Sequence, residues 1–454
     1  MRPLMRALTV CIVATALCGP ARVFSQQSAV SNEMPGIPSG LGHANVREAP
    51  YLAAGDGKTD DTGAFQKALD QVGTQGGGVV MVPTGKYAIK SHLVVPPGTS
   101  LVGISRAPLT YAPDTPGSTL LATEGAGSAD GTPFITLHGP NSTLDGITVF
   151  YPNQVIAEAP TPYPWTVRGS GDNVSIINVQ LVNPYQGIDF GTNEAPRHYI
   201  RGLYGQPLLK GIWVDQCYDI GRIQDVHFWP FWTQDKRIVD FTTTKGTTFI
   251  FQRTDWEVVE DIFSWGYHIG AEFSASKYGS MNGQMSDVNF DNADIGLDVK
   301  ATQPYAIHIS NLNLANAGAG SNHVAIWGEK SGNAAELDVR GASFWGFVKQ
   351  CLRWENPGSV ALSDSRLIPW NLDQPMIELL AGNAIIHDNF FQPYRQEHIE
   401  DYWHYDPVPA KEGKIAVRIG PGANHVMVHG NQLNGNKIES DATGSAALIN
   451  DNQP

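Results

Sequence analysis

A spaced repeat constrains this chain more than any other feature of it. Eleven positions share one pattern: Gly146, Asn178, Arg201, Asp225, Asp261, Asp287, Asn311, Gly341, Asp364, Asp388 and Gly430. Two residues before each stands an apolar or aromatic side chain: Leu144, Ile176, Tyr199, Ile223, Val259, Met285, Ile309, Val339, Leu362, Ile386 and Val428. Three residues after each stands another, from Val149 and Leu181 through Tyr204 and Phe228 to Leu433, with Ser264 the exception. The intervals are 32, 23, 24, 36, 26, 24, 30, 23, 24 and 42 residues, so six of the ten fall between 23 and 26. A helical solenoid would need apolar residues at a 3.6-residue period, whereas these runs are short and alternate. The pattern predicts an all-β chain, a single right-handed parallel β-helix of about eleven to thirteen coils stacked roughly 4.8 Å apart. No linker, charge block or low-complexity break divides residues 50–454, so one elongated body is expected there.

The four long intervals place their extra residues alike. The insertions read Tyr151–Trp165, Trp229–Asp255, Ala315–Asn322 and Gln392–Lys414, each after the same strand of its coil. They should rise from one edge of the stack and wall a groove, where inserted loops on a solenoid carry binding functions.

A second strand recurs some nine to twelve residues past the repeated position, in Gly187–Phe190, Gly211–Asp215, Gly270–Phe273 and Gly296–Val299. Alternation along a strand points Asp189, Trp213, Asp215, Glu272 and Asp298 outward on one face, with Arg353 and Arg418 at comparable places in later coils. Glycoside hydrolysis needs one carboxylic acid to protonate the leaving oxygen and a second to activate water or attack the anomeric carbon. Carboxylates on neighbouring coils would stand about 5 Å apart and those two coils apart about 10 Å. Asp215 with Glu272 suits an inverting geometry and Glu272 with Asp298 a retaining one. These three, with Asp189, are the candidate catalytic carboxylates. Around the largest insertion cluster Trp213, His227, Trp229, Trp232, Arg237, Arg253, Trp256 and His268. Indole faces stack on sugar rings, and imidazoles and guanidinium groups hydrogen-bond hydroxyls, so these are the candidate substrate-binding residues.

The N-terminus reads as an export signal: Arg2 and Arg6, the apolar run Ala7–Leu17, then small residues that permit cleavage after Ser25. The run is too short to span a bilayer, so a secreted or periplasmic protein is expected, with residues 26–49 a loosely held arm. Loss of residues 1–25 would move the net charge from −14 to −17, which disfavours nucleic acid and anionic membranes as partners. Of four cysteines, Cys217 and Cys351 would remain. Their coils are five apart, about 24 Å at the strand spacing, so two free, buried thiols are expected rather than a disulfide.

Ahead of the repeat, GDGKTDDTGAFQKAL is followed by GGGVVMVPTGKY and SLVGIS. Asp60, Asp61 and Thr62 can cap a short helix carrying Phe65, Ala68 and Leu69 on one face; a strand, a Pro-Thr-Gly turn and a returning strand follow. This stretch of some fifty residues resembles the start of the pectate-lyase superfamily, of rhamnogalacturonase and epimerase type. The resemblance implies a right-handed parallel β-helix closed at its first end by the helix, with Asp56, Asp60 and Asp61 structural. It implies action on polysaccharides, with the chemistry on an outer face near mid-stack. The motifs of polygalacturonase-like relatives are not met. Asp60-Asp61 lies in the cap, Val428-His429-Gly430 lacks the leading glycine of a Gly-His-Gly motif, and Arg418 is followed by Ile419-Gly420. No catalytic set is therefore carried over.

The expectation is a secreted carbohydrate-active enzyme. A glycoside hydrolase with paired carboxylates and no cofactor comes first. A lyase or epimerase acting on uronic acids, for which calcium would serve, comes second, and a non-catalytic glycan-binding protein third. The resemblance also leaves a homotrimer open.

Overall fold

One backbone constraint organises the coils. Each repeated position has a left-handed backbone, with φ between 51° and 70°, and each is Gly, Asn or Asp. The exception is the third, where the left-handed residue is Gly202 rather than Arg201, because Ile176 pairs with Ile200 and Val179 with Leu203. Left-handed conformation costs most residues roughly 1–2 kcal/mol, and Gly, Asn and Asp tolerate it best. The repeat thus marks a sharp corner that lets one strand bend and continue on a second face. Tyr199 moves with the correction: it is half-buried, and Ile200 takes the core place.

The computed structural model describes residues 42–106, 116–316, 323–346, 348–369, 374–392, 414–444 and 446–454. The segment expected as an export signal, most of the expected N-terminal arm, and almost all of the insertions after Leu314 and Phe391 lie outside them. Two sheets hold every named strand among the described residues, and every named-strand pairing is parallel. The smaller has thirteen strands, one for each coil from Leu93–Val95 to Lys437–Ser440. The larger has 22, and its strands run through the corner wherever the bend keeps pairing, as in Ser175–Leu181 and Gly283–Asp291. The body begins earlier than residue 50, because Gly42–Asn45 already pairs with Gly78–Met81.

The core is the interior of the coil. Ile176, Ile200, Ile223, Val259, Met285, Ile309, Val339, Leu362, Ile386 and Val428 stack in register, each at 2% exposure or less. Phe251 and Phe273 stack with centroids 5.7 Å apart and planes 13° apart. Past the corner in the last coils, buried amides replace aliphatic groups. Asn389 Oδ1 accepts from Ser365 N at 3.0 Å, Asn431 Oδ1 from Asn389 N at 3.0 Å, and Asn452 Oδ1 from Asn431 N at 3.1 Å. These bonds satisfy backbone donors that would otherwise be buried unpaired.

The first end is closed by the helix Thr62–Thr74, which buries Phe65, Ala68, Leu69 and Val72; Phe65 meets Tyr87 edge-on at 5.0 Å. Asp60 Oδ1 accepts from Thr62 N at 3.0 Å. Asp61, at the cap position itself, bonds Ala54 N and Gly55 N instead, and Asp56 bonds Lys58 N and Thr59 N. All three acids are thus engaged in turns.

Both described insertions leave from the same edge, between the larger sheet's post-corner strand and the smaller sheet. The second is shorter than the sequence suggests. Thr247–Phe251 is the regular smaller-sheet strand of its coil, paired with Lys210–Val214 and Ile269–Phe273, so the insertion ends at Gly246. It contains the helix Lys236–Lys245, capped by Asp235, whose side chain accepts from Arg237 N. The first is pinned inward: Tyr151 and Tyr163 are buried with rings 4.7 Å apart. Cys217 and Cys351 are buried and free, on coils five steps apart. Among the described residues, no helix is long and apolar enough to cross a membrane.

The corner argument makes a stability prediction at Asp261, an exposed left-handed position with φ 53°. Asp261→Gly should unfold in urea within a few tenths of a kcal/mol of wild type, whereas Asp261→Val should lose about 1–2 kcal/mol. Equal losses would contradict a backbone origin for the repeat.

Candidate active site

The smaller sheet's outward positions form one ladder: Thr136, Arg168, Asp189, Trp213, Ile250, Glu272, Asp298, Trp327, Arg353, Glu378, Arg418 and Glu439 are register partners in sequence. Glu272 and Asp298 are direct neighbours, as expected, and Arg353 and Arg418 occupy the same row. Asp215 does not. It lies two residues past Trp213, in the turn that follows the strand.

Two of the four candidate carboxylates are committed to turn backbone, and a third, Asp298 at 2% exposure, points no more freely outward than they do. Asp189 is fully buried. Arg168 Nε sits 2.5 Å from its Oδ2, and Gly191 N, Thr192 N and Thr192 Oγ1 all donate to it. Asp215 is 3% exposed and accepts from Gln216 N, Arg253 N and Ser276 Oγ through one oxygen. Both tie down turns, so the expectation that they point freely outward is corrected.

The other two converge on a residue the sequence reading missed. Lys300 Nζ lies 3.0 Å from Glu272 Oε2, 2.9 Å from Asp298 Oδ2 and 3.8 Å from Glu329 Oε2. Because both oxygens touch one nitrogen, they are at most about 6 Å apart, nearer the roughly 5–5.5 Å of double-displacement carboxylate pairs than the roughly 6.5–9.5 Å of inverting ones. The two environments differ. The Glu272 side chain is 23% exposed and that of Asp298 3%, and Asp298 Oδ1 is buried with no hydrogen-bond partner. Burial pushes the Asp298 carboxyl up to about 6, against the opposing pull of Lys300. The same carboxylates hold the Lys300 ammonium well above the ordinary lysine value despite burial.

Below this group the ladder continues through Trp327, whose Nε1 donates to Glu355 Oε2 at 3.0 Å. Arg353 is clamped between Glu355 and Glu378 at 2.9 and 2.7 Å. Above it, Trp213 donates to Gln252 Oε1 and stacks on Trp165 with centroids 6.1 Å apart. Two indoles therefore bracket the carboxylates along the stack. Lys300 had a signal in the sequence: it stands two residues after Asp298, at the next outward place, just past the end of the strand Ile295–Val299. Trp327 had one too, in the run Val324–Gly328 that matches Ile295–Val299 position for position.

The remaining candidate binding residues scatter. Arg253 pairs with Asp255 and lies over the Tyr218 ring at 5.1 Å, on the Asp215 side. Trp256, 54% exposed, lies in the turn leading back to the larger sheet. His268 precedes the strand of Glu272, with Nδ1 3.1 Å from Asp294 Oδ2. Arg237 pairs with its own helix cap, Asp235, and Trp232 N donates to Gln206. His227 and Trp229 belong to the outer face of the larger sheet, away from the carboxylates. The sequence reading merged two faces into one patch.

Among the described residues, one group of three metal-type ligands comes within 4.8 Å of one another: His198, Cys217 and Glu257, all buried. Its nitrogen and sulfur donors do not suit calcium, which takes oxygen ligands. At the smaller-sheet site the Lys300 ammonium already stands among the three carboxylates. Neither of these two groups of described residues therefore fits a calcium centre.

Comparison with known proteins agrees with this architecture. Residues 44–259 match the family described as rhamnogalacturonase A/epimerase, pectate lyase-like. The solved A-module of mannuronan C-5 epimerase AlgE6 from Azotobacter vinelandii aligns over 90% of this chain and 98% of its own, with 14% identity and a TM-score of 0.55. An exopolygalacturonase from Thermotoga maritima aligns over 78% and 93%, with 13% identity and a TM-score of 0.49. A stretch of 45 residues is 54% identical to alginate lyase 7 of Azotobacter vinelandii, 10% of this chain and 5% of that protein. The chain thus spans only a small part of that curated relative. The fold is a pectate-lyase-like right-handed parallel β-helix.

The electrostatic account predicts a shift of known sign. In Lys300→Met the cation that lowers the Asp298 pKa is gone, so its protonation midpoint should rise above about 6 in a carboxyl ¹³C titration. An unchanged or lower midpoint would contradict it.

Proposed function

We propose that this protein is a secreted carbohydrate-active enzyme, a retaining glycoside hydrolase in which Asp298 is the general acid and Glu272 the nucleophile. The observation carrying this reading is the pair of unlike carboxyls on adjacent coils, both paired with Lys300, one buried with a free oxygen and raised pKa and the other more exposed. Environments that push two carboxyls apart are how one site supplies both acid and base at one pH. The family match over residues 44–259 and the carbohydrate-acting names of the relatives support the substrate class.

In this scheme protonated Asp298 gives its proton to the glycosidic oxygen as the bond to the anomeric carbon breaks. Glu272, held by Lys300, attacks that carbon to form a glycosyl-enzyme. Asp298, now ionised, takes a proton from the water that releases the sugar and is restored. Trp213 and Trp327 offer ring faces to sugar units on either side. Residues 1–25 would direct export, and no cofactor takes part. Elimination or epimerisation of a uronic acid would require its carboxylate to be neutralised. The nearby cations, Lys300 and Arg353, are each already bound by two or more carboxylates, which favours the hydrolase.

Product analysis on neutral and acidic polysaccharides tests this. New reducing ends should appear with or without EDTA, and Glu272→Gln and Asp298→Asn should each lower kcat by about 10²–10⁴-fold. Since the acid must be protonated, kcat/KM should fall as pH rises through about 6. Ultraviolet-absorbing unsaturated products would replace the reading with a lyase, and binding without turnover would replace it with a glycan-binding protein.

A further inference from the structure

The larger sheet carries a second cluster that the proposed reaction does not use. Past the corner, Tyr204, His227 and Phe263 are outward register partners on three successive coils, all half-buried. Their rings touch in sequence, with centroids 5.4 Å apart for Tyr204 and His227 and 4.6 Å for His227 and Phe263. Trp229 continues the shelf from Phe263 at 6.2 Å and meets Trp265 at 5.3 Å with the planes 50° apart. Trp229 and Trp265 then form one wall of a cavity of about 470 Å³, closed by Pro230, Gln234, Lys236 and Val239 of the inserted loop and its helix. This volume lies within the roughly 300–1,000 Å³ of small-ligand pockets.

The side chains say what kind of ligand fits. The exposed part of the shelf is made of flat rings, with no Leu, Ile or Met among its outward residues, unlike a surface for a lipid chain or an apolar peptide. Ring faces of this kind match the C–H faces of pyranoses, and two indoles at an angle can grip one ring or follow a bend in a chain. The polar rim is acidic. Asp225 accepts from Tyr204 Oη at 2.6 Å, Asp225 and Asp261 both act on His227, and Asp291 is the register partner of Trp265. The cavity's lysine, Lys236, is largely exposed and pairs with Asp240 one helical turn on, 2.5 Å away. Carboxylates accept hydrogen bonds from sugar hydroxyls and repel uronates and sulfated sugars.

We propose that the Trp229–Trp265 cavity and the aromatic shelf beside it are a separate binding site for neutral polysaccharide, on a different face from the Glu272–Asp298 pair. It would hold the enzyme on a long chain while the smaller sheet acts on it. The site goes beyond the catalytic reading, because binding here is independent of which reaction the smaller sheet performs.

Affinity gel electrophoresis of the secreted chain tests this directly, using gels with galactomannan, laminarin or hydroxyethylcellulose beside gels with alginate or pectin. The Glu272→Gln protein serves as background so that no probe is consumed. At least one neutral polymer should retard it and the acidic ones should not. Trp229→Ala and Trp265→Ala should each weaken that binding about tenfold, while Tyr305→Ala, an exposed ring elsewhere, should not. Trp229→Phe, which keeps an aromatic face, should retain most of the binding and guards against a folding defect in the alanine variants. Retardation by no neutral polymer would overturn the proposal. So would unchanged binding in alanine variants with wild-type near-ultraviolet circular dichroism, or equal binding of alginate lost in the same variants.

Discussion

The left-handed corner is the constraint on which the rest of this protein depends. Every coil must turn its strand sharply and still hand its backbone bonds to the coils above and below. A left-handed residue does this in one step, and parallel pairing then copies the corner from Gly146 to Gly430. Once the corner is fixed, alternation decides which side chains enter the core and which leave it. The interior aliphatic stack supplies the burial, and the Asn389–Asn431–Asn452 ladder shows that polar groups are admitted where each can serve a backbone donor.

The candidate site is a consequence of this stacking. Side chains at one register position on adjacent coils are held a strand spacing apart whatever their charge. Like charges placed this way repel, so Glu272 and Asp298, with Glu329 close by past the next strand, need Lys300 among them. The fold provides the close approach of two carboxyls, the lysine offsets its cost, and burial raises the pKa of Asp298. The same scaffold places the aromatic shelf on another face, so two surfaces with different chemistry arise from one repeat.

The fold was legible in the sequence because the corner restricts residue type so strongly. Where it failed, it failed locally. The apolar spacing sets the repeated position at Arg201 because Tyr199 and Tyr204 imitate the flanking core residues, although Gly202 is the residue that bends. The strand Thr247–Phe251 is hidden in the sequence because Thr248 and Ile250 stand where the coils on either side carry Gly211 with Trp213 and Gly270 with Glu272, so the glycine-led pattern of that strand is missing. The site was legible in part. Glu272 and Asp298 follow from alternation alone. That Asp189 and Asp215 bind turn amides does not, because an Asp at a strand end is as able to cap a turn as to face solvent. Nor could the sequence separate His227 and Trp229 from the carboxylates, since neighbours along the chain here lie on opposite sides of a turn.

The most direct test of the catalytic assignment is to trap its covalent intermediate. An activated 2-deoxy-2-fluoro glycoside of the sugar that the enzyme releases slows the second step more than the first, so the glycosyl-enzyme accumulates. Peptide mapping by mass spectrometry would then find the added sugar on Glu272, at the pair bridged by Lys300. An adduct on any other carboxylate, or turnover that inverts the anomeric centre and leaves no adduct, would contradict the account.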